Sequence, residues 1–426
     1  MYLTQYILIF LFLFSCAFYF FSDETVRRRR KRPAKPCPEA TTEQDRPVAE
    51  IVHEDNHTVE LSRKEEADVK PKQERGSKHG KKNNKRRLFL QRLKIYKRTR
   101  KNLSNYRANK NNELAQLLFV FLIIVAVTRP STMADYSAYV ESFMGTHGER
   151  FELSFQIIKF IVGLTGFPVF FGFLAYACLS ISIRTHYITK FSPALWGSII
   201  IYLSYIFIVQ DMIAIRAAVA SSLLLPIIAY GSEENKKKQL LFFILAFFFH
   251  YSAAIFAIVF LVSYEKRYRL LYVLILVLGY LFAIRGLSLT FLLQLIPIPA
   301  MSTLLDMYIN SSNQANIFNL VQLGHIFVCL AMWIFIPTMQ RRYPISLVLL
   351  KLYTIGLALL PLFYDLISVA FRFSELFLSV EVILIPMAAK SILRNSIVQR
   401  AAVIVYALII FYFSITNPQY WNPSLL

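Results

Sequence analysis

The sequence predicts an all-α fold, a polytopic transmembrane helical bundle of about 10 crossings with a broken-helix hairpin near 239–262. Three observations predict it. Of the 426 residues, 56% are hydrophobic, above the roughly 45–50% typical of soluble domains. Apolar runs of bilayer-spanning length recur along the chain, and they are too long and alternate too little for barrel strands. The charge is collected in one place: residues 23–112 hold 27 of the 47 Lys and Arg and 13 of the 26 Asp and Glu, and alone carry +14 of the net +21.

Residues 1–22 form the N-terminal transmembrane helix. "LFSC" at 13–16 superficially suggests a lipoprotein cleavage site, but no basic region precedes it and apolar residues follow, so an uncleaved helix is expected. Residues 23–112 begin with "RRRRKR" (27–32) and end with "RRLFLQRLKIYKRTRKN" (86–102), with a Pro-, Glu-, Lys- and Asn-rich stretch between. That composition predicts a largely disordered cytoplasmic loop. Its basic ends directly abut apolar runs, so they are expected to hold anionic lipid headgroups and fix topology rather than to bind nucleic acid. Residues 86–102 could lie on the membrane as a short amphipathic helix. The membrane core is 113–416, and 417–426 is a C-terminal tail.

Within the core, spans are expected at about 114–128, 167–183, 193–209, 212–230, 268–284, 318–338, 345–363, 367–388 and 399–415, after the first at 4–21. Shorter apolar pieces lie at 153–165 and 287–299. With the basic loop inside, the N-terminus is outside, the loop carrying Arg184 and Lys190 is inside, and "GSEENKKKQ" (231–239) is inside again. A single crossing by 240–262 would export "EKRYR", Arg341, Arg342, Lys390, Arg394 and Arg400. A dip and return, turning at "FHYS", keeps all of them inside and puts both termini outside. Such a turn lies deep in the membrane and needs protein or a wet cavity around it. One long tilted helix is the alternative.

The four cysteines, Cys16, Cys37, Cys178 and Cys329, form no CxxC, so neither a disulfide framework nor a metal site is expected. No acidic cluster has metal-ligand spacing, and no cofactor is predicted.

Charged residues inside apolar runs are costly and usually mark a substrate path. Asp135, Glu149, Glu152, Asp211, Arg216, Asp306, Asp365, Arg372 and Glu375 all fall in the outer half on this topology, with His250 at the hairpin tip. Arg216 sits in "DMIAIRAAVASSLLLPIIAYG" (211–231). It could snorkel to headgroups, or fork onto two phosphate oxygens; its small neighbours suggest close packing and favour the second reading. Arg372 and Glu375 share a helix face, as a self-neutralising pair or as a second anion contact steadied by a carboxylate. His250, beside Tyr251, could be a hydrogen-bonded core residue, or a base, acid or neutral donor in a wet cavity. Arg129, Asp135, Tyr136, Tyr139, Glu141 and Glu152, in the outer stretch 128–155, offer rings and carboxylates suited to sugars. Glu381 has no assignment, and His325 and His147 have no such context.

"DYSAYVESF" (135–143), "FELSFQII" (151–158), "IR" (215–216) opening a small-residue helix, "FHYSAAIF" (249–256) and "FRFSELF" (371–377) occur in that order. Together they resemble the EpsG family of Wzy-type polysaccharide polymerases, over about 113–416. Ala217 stands where that family usually has Gln after the "IR" arginine, and the 23–112 loop is longer and more basic than the family pattern. The resemblance implies an enzyme of the bacterial inner membrane that joins oligosaccharide units carried on undecaprenyl diphosphate, on the outer face, into an exopolysaccharide, capsule or O-antigen-like chain. It implies Arg216 and Arg372 as the cations that hold the diphosphate, and Asp135 or His250 as the base for the acceptor hydroxyl. Tyr139 and Glu152 would orient sugar, and Arg129, Tyr251 and Glu375 complete the substrate-binding set. Other polysaccharide-synthesis proteins are candidate partners of the basic loop. The rival readings are a single-transfer glycosyltransferase or ligase, and a flippase of lipid-linked sugars, against which the absence of an internal repeat argues.

Overall fold

The computed structural model describes residues 2–22, 109–145, 152–264, 269–290 and 315–421. The chain divides into two units: Met1–Asp23 with Tyr106–Leu426, and Glu24–Asn105. The second unit lies outside the described residues. So do the expected surface helix at 86–102, His147, Glu149, Asp306 and most of the apolar piece 287–299.

The described residues are helical and contain no strand. In chain order they are α1 (Tyr2–Ser22), α2 (Asn109–Val127), the short α3 (Tyr136–Met144) and α4 (Leu153–Gly163), then α5 (Pro168–Phe191) and α6 (Leu195–Ile201). The backbone then winds without a break into a π-helix, Tyr202–Ile213. After it come α7 (Ile215–Ser232), α8 (Lys236–Phe249), a 3-10 turn (Tyr251–Ala257) running into α9 (Ile258–Leu261), and α10 (Arg269–Ile284). The last set is α11 (Leu320–Arg342), α12 (Ser346–Leu362), α13 (Ile367–Leu378), α14 (Glu381–Ile392), α15 (Ser396–Thr416) and a final turn, Pro418–Trp421. Six of these segments are long and apolar enough to cross a membrane among the described residues. This supports a multi-pass membrane protein; shorter apolar helices stand beside these six.

Burial sorts the helices. Leu195–Ile213 and α7 are 94% and 89% buried along their most apolar stretch, whereas α1, α11 and α15 are about a third buried, leaving an apolar side for lipid. A segment apolar on every face belongs at the centre of a bundle, and one with a single packed stripe belongs at its rim. The small residues Ala218, Ala220, Ser221 and Ser222 of α7 are fully enclosed, which lets neighbouring backbones approach closely.

The interruption near "FHYS" is present. His250 takes an extended conformation (φ −156°, ψ 118°) between α8 and the 3-10 turn. The second arm then returns: the Phe260 ring packs edge-on against Phe243 at 5.6 Å, Lys236 Nζ lies 5.9 Å from the Phe260 ring, and Tyr264 donates to the Ile228 carbonyl near the start of α8. Two expectations need correction. The single span at 367–388 is two helices, parted at Ser379 and Val380. Arg184 is no loop cation: α5 runs on to Phe191 and buries Arg184 to 1% exposure.

The bundle has two unlike ends. Gln5 donates to the Ile415 carbonyl and Arg400 to that of Phe20, so α1 and α15 run antiparallel, with Tyr2 and Thr416 at one end. That end also holds Ala134, whose N–H donates to Tyr420. At the other end cations cap carbonyls: Arg342 on Lys390, Lys390 on Pro193, Lys351 on Ser263 and Arg400 on Phe20.

Candidate functional site

Six residues that the sequence singles out meet at the end away from the capping cations. Asp135, Tyr139, Arg216, His250, Arg372 and Glu375 line a narrow cavity of about 40 Å³ together with Gln210 and Leu376. Ala214 and Ala217 also line it.

Local structure explains why they converge. Ala214 (φ −89°, ψ 63°) breaks the π-helix and starts α7 afresh, so the first turn of α7 opens at the cavity with N–H groups that have no intrahelical acceptor. Arg216 is its second residue. The His250 break stops α8 at the same level, and α13 brings Arg372 and Glu375 one helical turn apart. Asp135 takes a left-handed conformation (φ 60°) as it leads into α3, a strained geometry that Asp tolerates better than most residues.

Glu152, at the head of α4, organises the charges. Its Oε2 accepts from Arg216, and its Oε1 lies 3.0 Å from His250 Nδ1 and accepts from the Tyr251 backbone N–H at 3.3 Å. A carboxylate that only accepts assigns the proton to Nδ1 of the neutral imidazole. His250 Nε2 is then the lone-pair nitrogen; it is buried and has no hydrogen-bond partner among the described residues. His250 itself lines the cavity. Arg216 is 16% exposed and lies with its guanidinium 5.8 Å from the centre of the Tyr139 ring. It is held by protein on one side and faces the cavity on the other, rather than reaching for headgroups.

Glu375 does not neutralise Arg372 in a close pair: its Oε1 accepts from Tyr205 at 2.5 Å. Tyr251 contributes its backbone, while its side chain is half exposed against Phe247. Arg129 does not line the cavity. It is buried, donates to the Ala126 and Met212 carbonyls, and stacks 4.2 Å over Phe173, which ties α2 to the end of the π-helix. Asp211 is likewise internal, accepting from Ser180 at 2.5 Å and Tyr202 at 2.7 Å.

Gln210, which sequence reasoning passed over as a loop boundary, is a cavity residue. Its one local signal is a polar pair, Gln210–Asp211, at the end of an apolar run. Ala217 also lines the cavity, so the departure from the family pattern noted above falls within the site. A second polar cluster lies apart: His325, Tyr353, Tyr406 and Glu381 are joined at 2.7–3.4 Å in the buried contact of α11, α12, α14 and α15.

No group of His, Cys, Asp or Glu among the described residues could hold a metal ion. No curated protein and no solved structure matches the chain. The family model described as EpsG family matches residues 114–423, which take in every residue of the cavity and most of the length of the molecule, and the chain therefore belongs to the EpsG family.

Proposed function

We propose that this protein is a membrane polymerase that joins undecaprenyl-diphosphate-linked oligosaccharide units into a polysaccharide on the outer face of the bacterial inner membrane. Family membership suggests a membrane polysaccharide-polymerase-like protein; the substrate and the residue roles are our reading of the site. The observation that carries it is the convergence of two arginines, the first turn of α7 and an unpartnered imidazole nitrogen on one cavity.

In this reaction the acceptor hydroxyl attacks the anomeric carbon of the donor glycan. The bond from that carbon to the diphosphate breaks, and the hydroxyl proton goes to a base. The leaving group departs as an anion, so the site needs fixed cations more than an acid. Arg216 and Arg372 supply them, helped by the partial positive charge of the α7 N-terminus. His250 Nε2 takes the proton. Glu152 acts here as the group that fixes the imidazole and steadies Arg216, rather than as a sugar ligand. Asp135 and Tyr139, which also line the cavity, position the acceptor. The cavity is small, about 40 Å³, so it takes oxygens of the diphosphate and of the acceptor. The sugars and the lipid lie outside. We take the cavity end as the outer one because the capping cations collect at the opposite end.

The test is the length distribution of lipid-linked and surface glycan in cells lacking the gene, complemented with wild type or Arg216→Ala. A ladder with wild type and single units with the variant are expected. Normal ladders with Arg216→Ala would remove that residue from the chemistry. A single added unit with wild type and no ladder would give a single-transfer enzyme instead.

A further inference from the structure

We propose that Gln210 is a diphosphate-binding residue, its amide N–H turned into the cavity by a clamp that buried Arg184 and Ser221 close around its oxygen. The inference rests on the reading of the cavity as a diphosphate site.

The orientation of the amide follows from donor arithmetic. Arg184 Nη2 lies 2.9 Å from Gln210 Oε1, and Ser221 Oγ lies 2.6 Å from the same atom. A guanidinium can only donate, so the atom facing it is the amide oxygen and the NH2 group points the other way. Arg184 is itself fixed by the Ser221 hydroxyl at 2.9 Å and the Ala218 carbonyl at 3.3 Å. Its guanidinium also lies 5.3 Å from the Tyr202 ring. The side chains of Arg184 and Gln210 are each about 1% exposed, so water does not compete for these bonds.

The amide nitrogen then has two N–H groups to place. One goes to the Glu375 carbonyl at 3.1 Å. The other has no acceptor among the described residues, and Gln210 lines the cavity beside Arg216 and Arg372. A neutral donor on the same cavity as two arginines completes a seat for an anion with several oxygens. It adds a directional bond without a third positive charge to desolvate. Arg184 touches nothing in the cavity. It is a positioning residue that acts by forbidding the flipped amide.

The experiment uses the full chain in nanodiscs and inorganic pyrophosphate as the probe, with affinity read by calorimetry and folding by thermal unfolding. Gln210→Glu keeps the shape and gives Arg184 a better partner, but presents an acceptor to the anion. It should weaken pyrophosphate binding about tenfold or more, the loss of a hydrogen bond to a charged group. Gln210→Met, which keeps the volume and loses the N–H, should weaken it to a similar or smaller extent. Arg184→Lys should weaken binding in the wild-type background and leave it unchanged in the Gln210→Met background, a non-additivity that a merely structural role would not produce. Undecaprenyl diphosphate should compete with pyrophosphate for the site. Folded Gln210→Glu and Gln210→Met proteins that bind within twofold of wild type, while Arg216→Ala loses binding, would overturn the role of Gln210 alone. No binding by wild type, or equal binding by Arg216→Ala, would instead take down the diphosphate reading.

Discussion

Glu152→Gln tests the organisation of the site most sharply. The carboxylate serves Arg216 on one oxygen and His250 with the Tyr251 N–H on the other. The amide keeps the shape but has one oxygen where two are needed. If the oxygen stays on Arg216, the NH2 faces His250 and forces Nδ1 to accept; the ring proton moves to Nε2, and the lone pair leaves the cavity. If the oxygen stays on His250, two donors meet at Arg216. Loss of a correctly held base costs about 10²–10⁴ in rate, and a carboxylate-to-amide change that traps the wrong imidazole tautomer lies near the upper end. Leaving a buried cation without its partner costs about 3–5 kcal/mol in stability. Arg216 keeps 16% exposure, so we expect the lower figure. The assay is the single-turnover transfer rate with a lipid-linked unit, set beside thermal unfolding of the same preparation. A drop of at least a hundredfold with the protein still folded is expected. A folded Glu152→Gln enzyme within threefold of wild type would refute the tautomer argument and return the base to Asp135.

Three further outcomes follow. Arg216→Lys keeps the charge and loses the fork, so transfer should fall about tenfold or more, and full activity would count against a bidentate hold on phosphate. At Gly356 an added Cβ would sit 2.8 Å from Phe377 Cβ and 3.2 Å from the Ser374 carbonyl. Gly356→Val should therefore lower stability by about 1–3 kcal/mol in chemical unfolding and displace α13 with Arg372, whereas Gly324→Ala, which meets nothing within 4 Å, should be neutral or stabilising. The hairpin predicts that cysteines at Glu234 and Ser263, on its two ends, react with a membrane-impermeant thiol reagent from the same side; reaction from opposite sides would restore the single tilted helix.

What the sequence revealed of this site depended on how far apart the partners lie along the chain. The break at His250 was legible because the run around it is too long for one arm and too short for two full crossings. Arg216 was legible because a guanidinium among small apolar residues is costly without a partner. The partner itself was not: Glu152 stands 64 residues away and reads locally as a wet loop acid. The same holds for Arg184. Its expected span ends at residue 183, and only contacts 26 and 37 residues away, to Gln210 and Ser221, turn a topology charge into an internal clamp. Glu381 and His325, each without context in the sequence, lie 3.4 Å apart though far separated along the chain. The π-helix at Tyr202–Ile213 has no signature in an apolar stretch, yet it delivers Gln210 to the cavity while Asp211 packs on Ser180 and Tyr202. Periodicity therefore predicts which helices exist, because burial of an apolar face is a local property of each segment. The candidate site gathers where helices are interrupted, at Ala214 and His250, because an interruption frees backbone N–H groups and side chains that a continuous helix would hold against its neighbours.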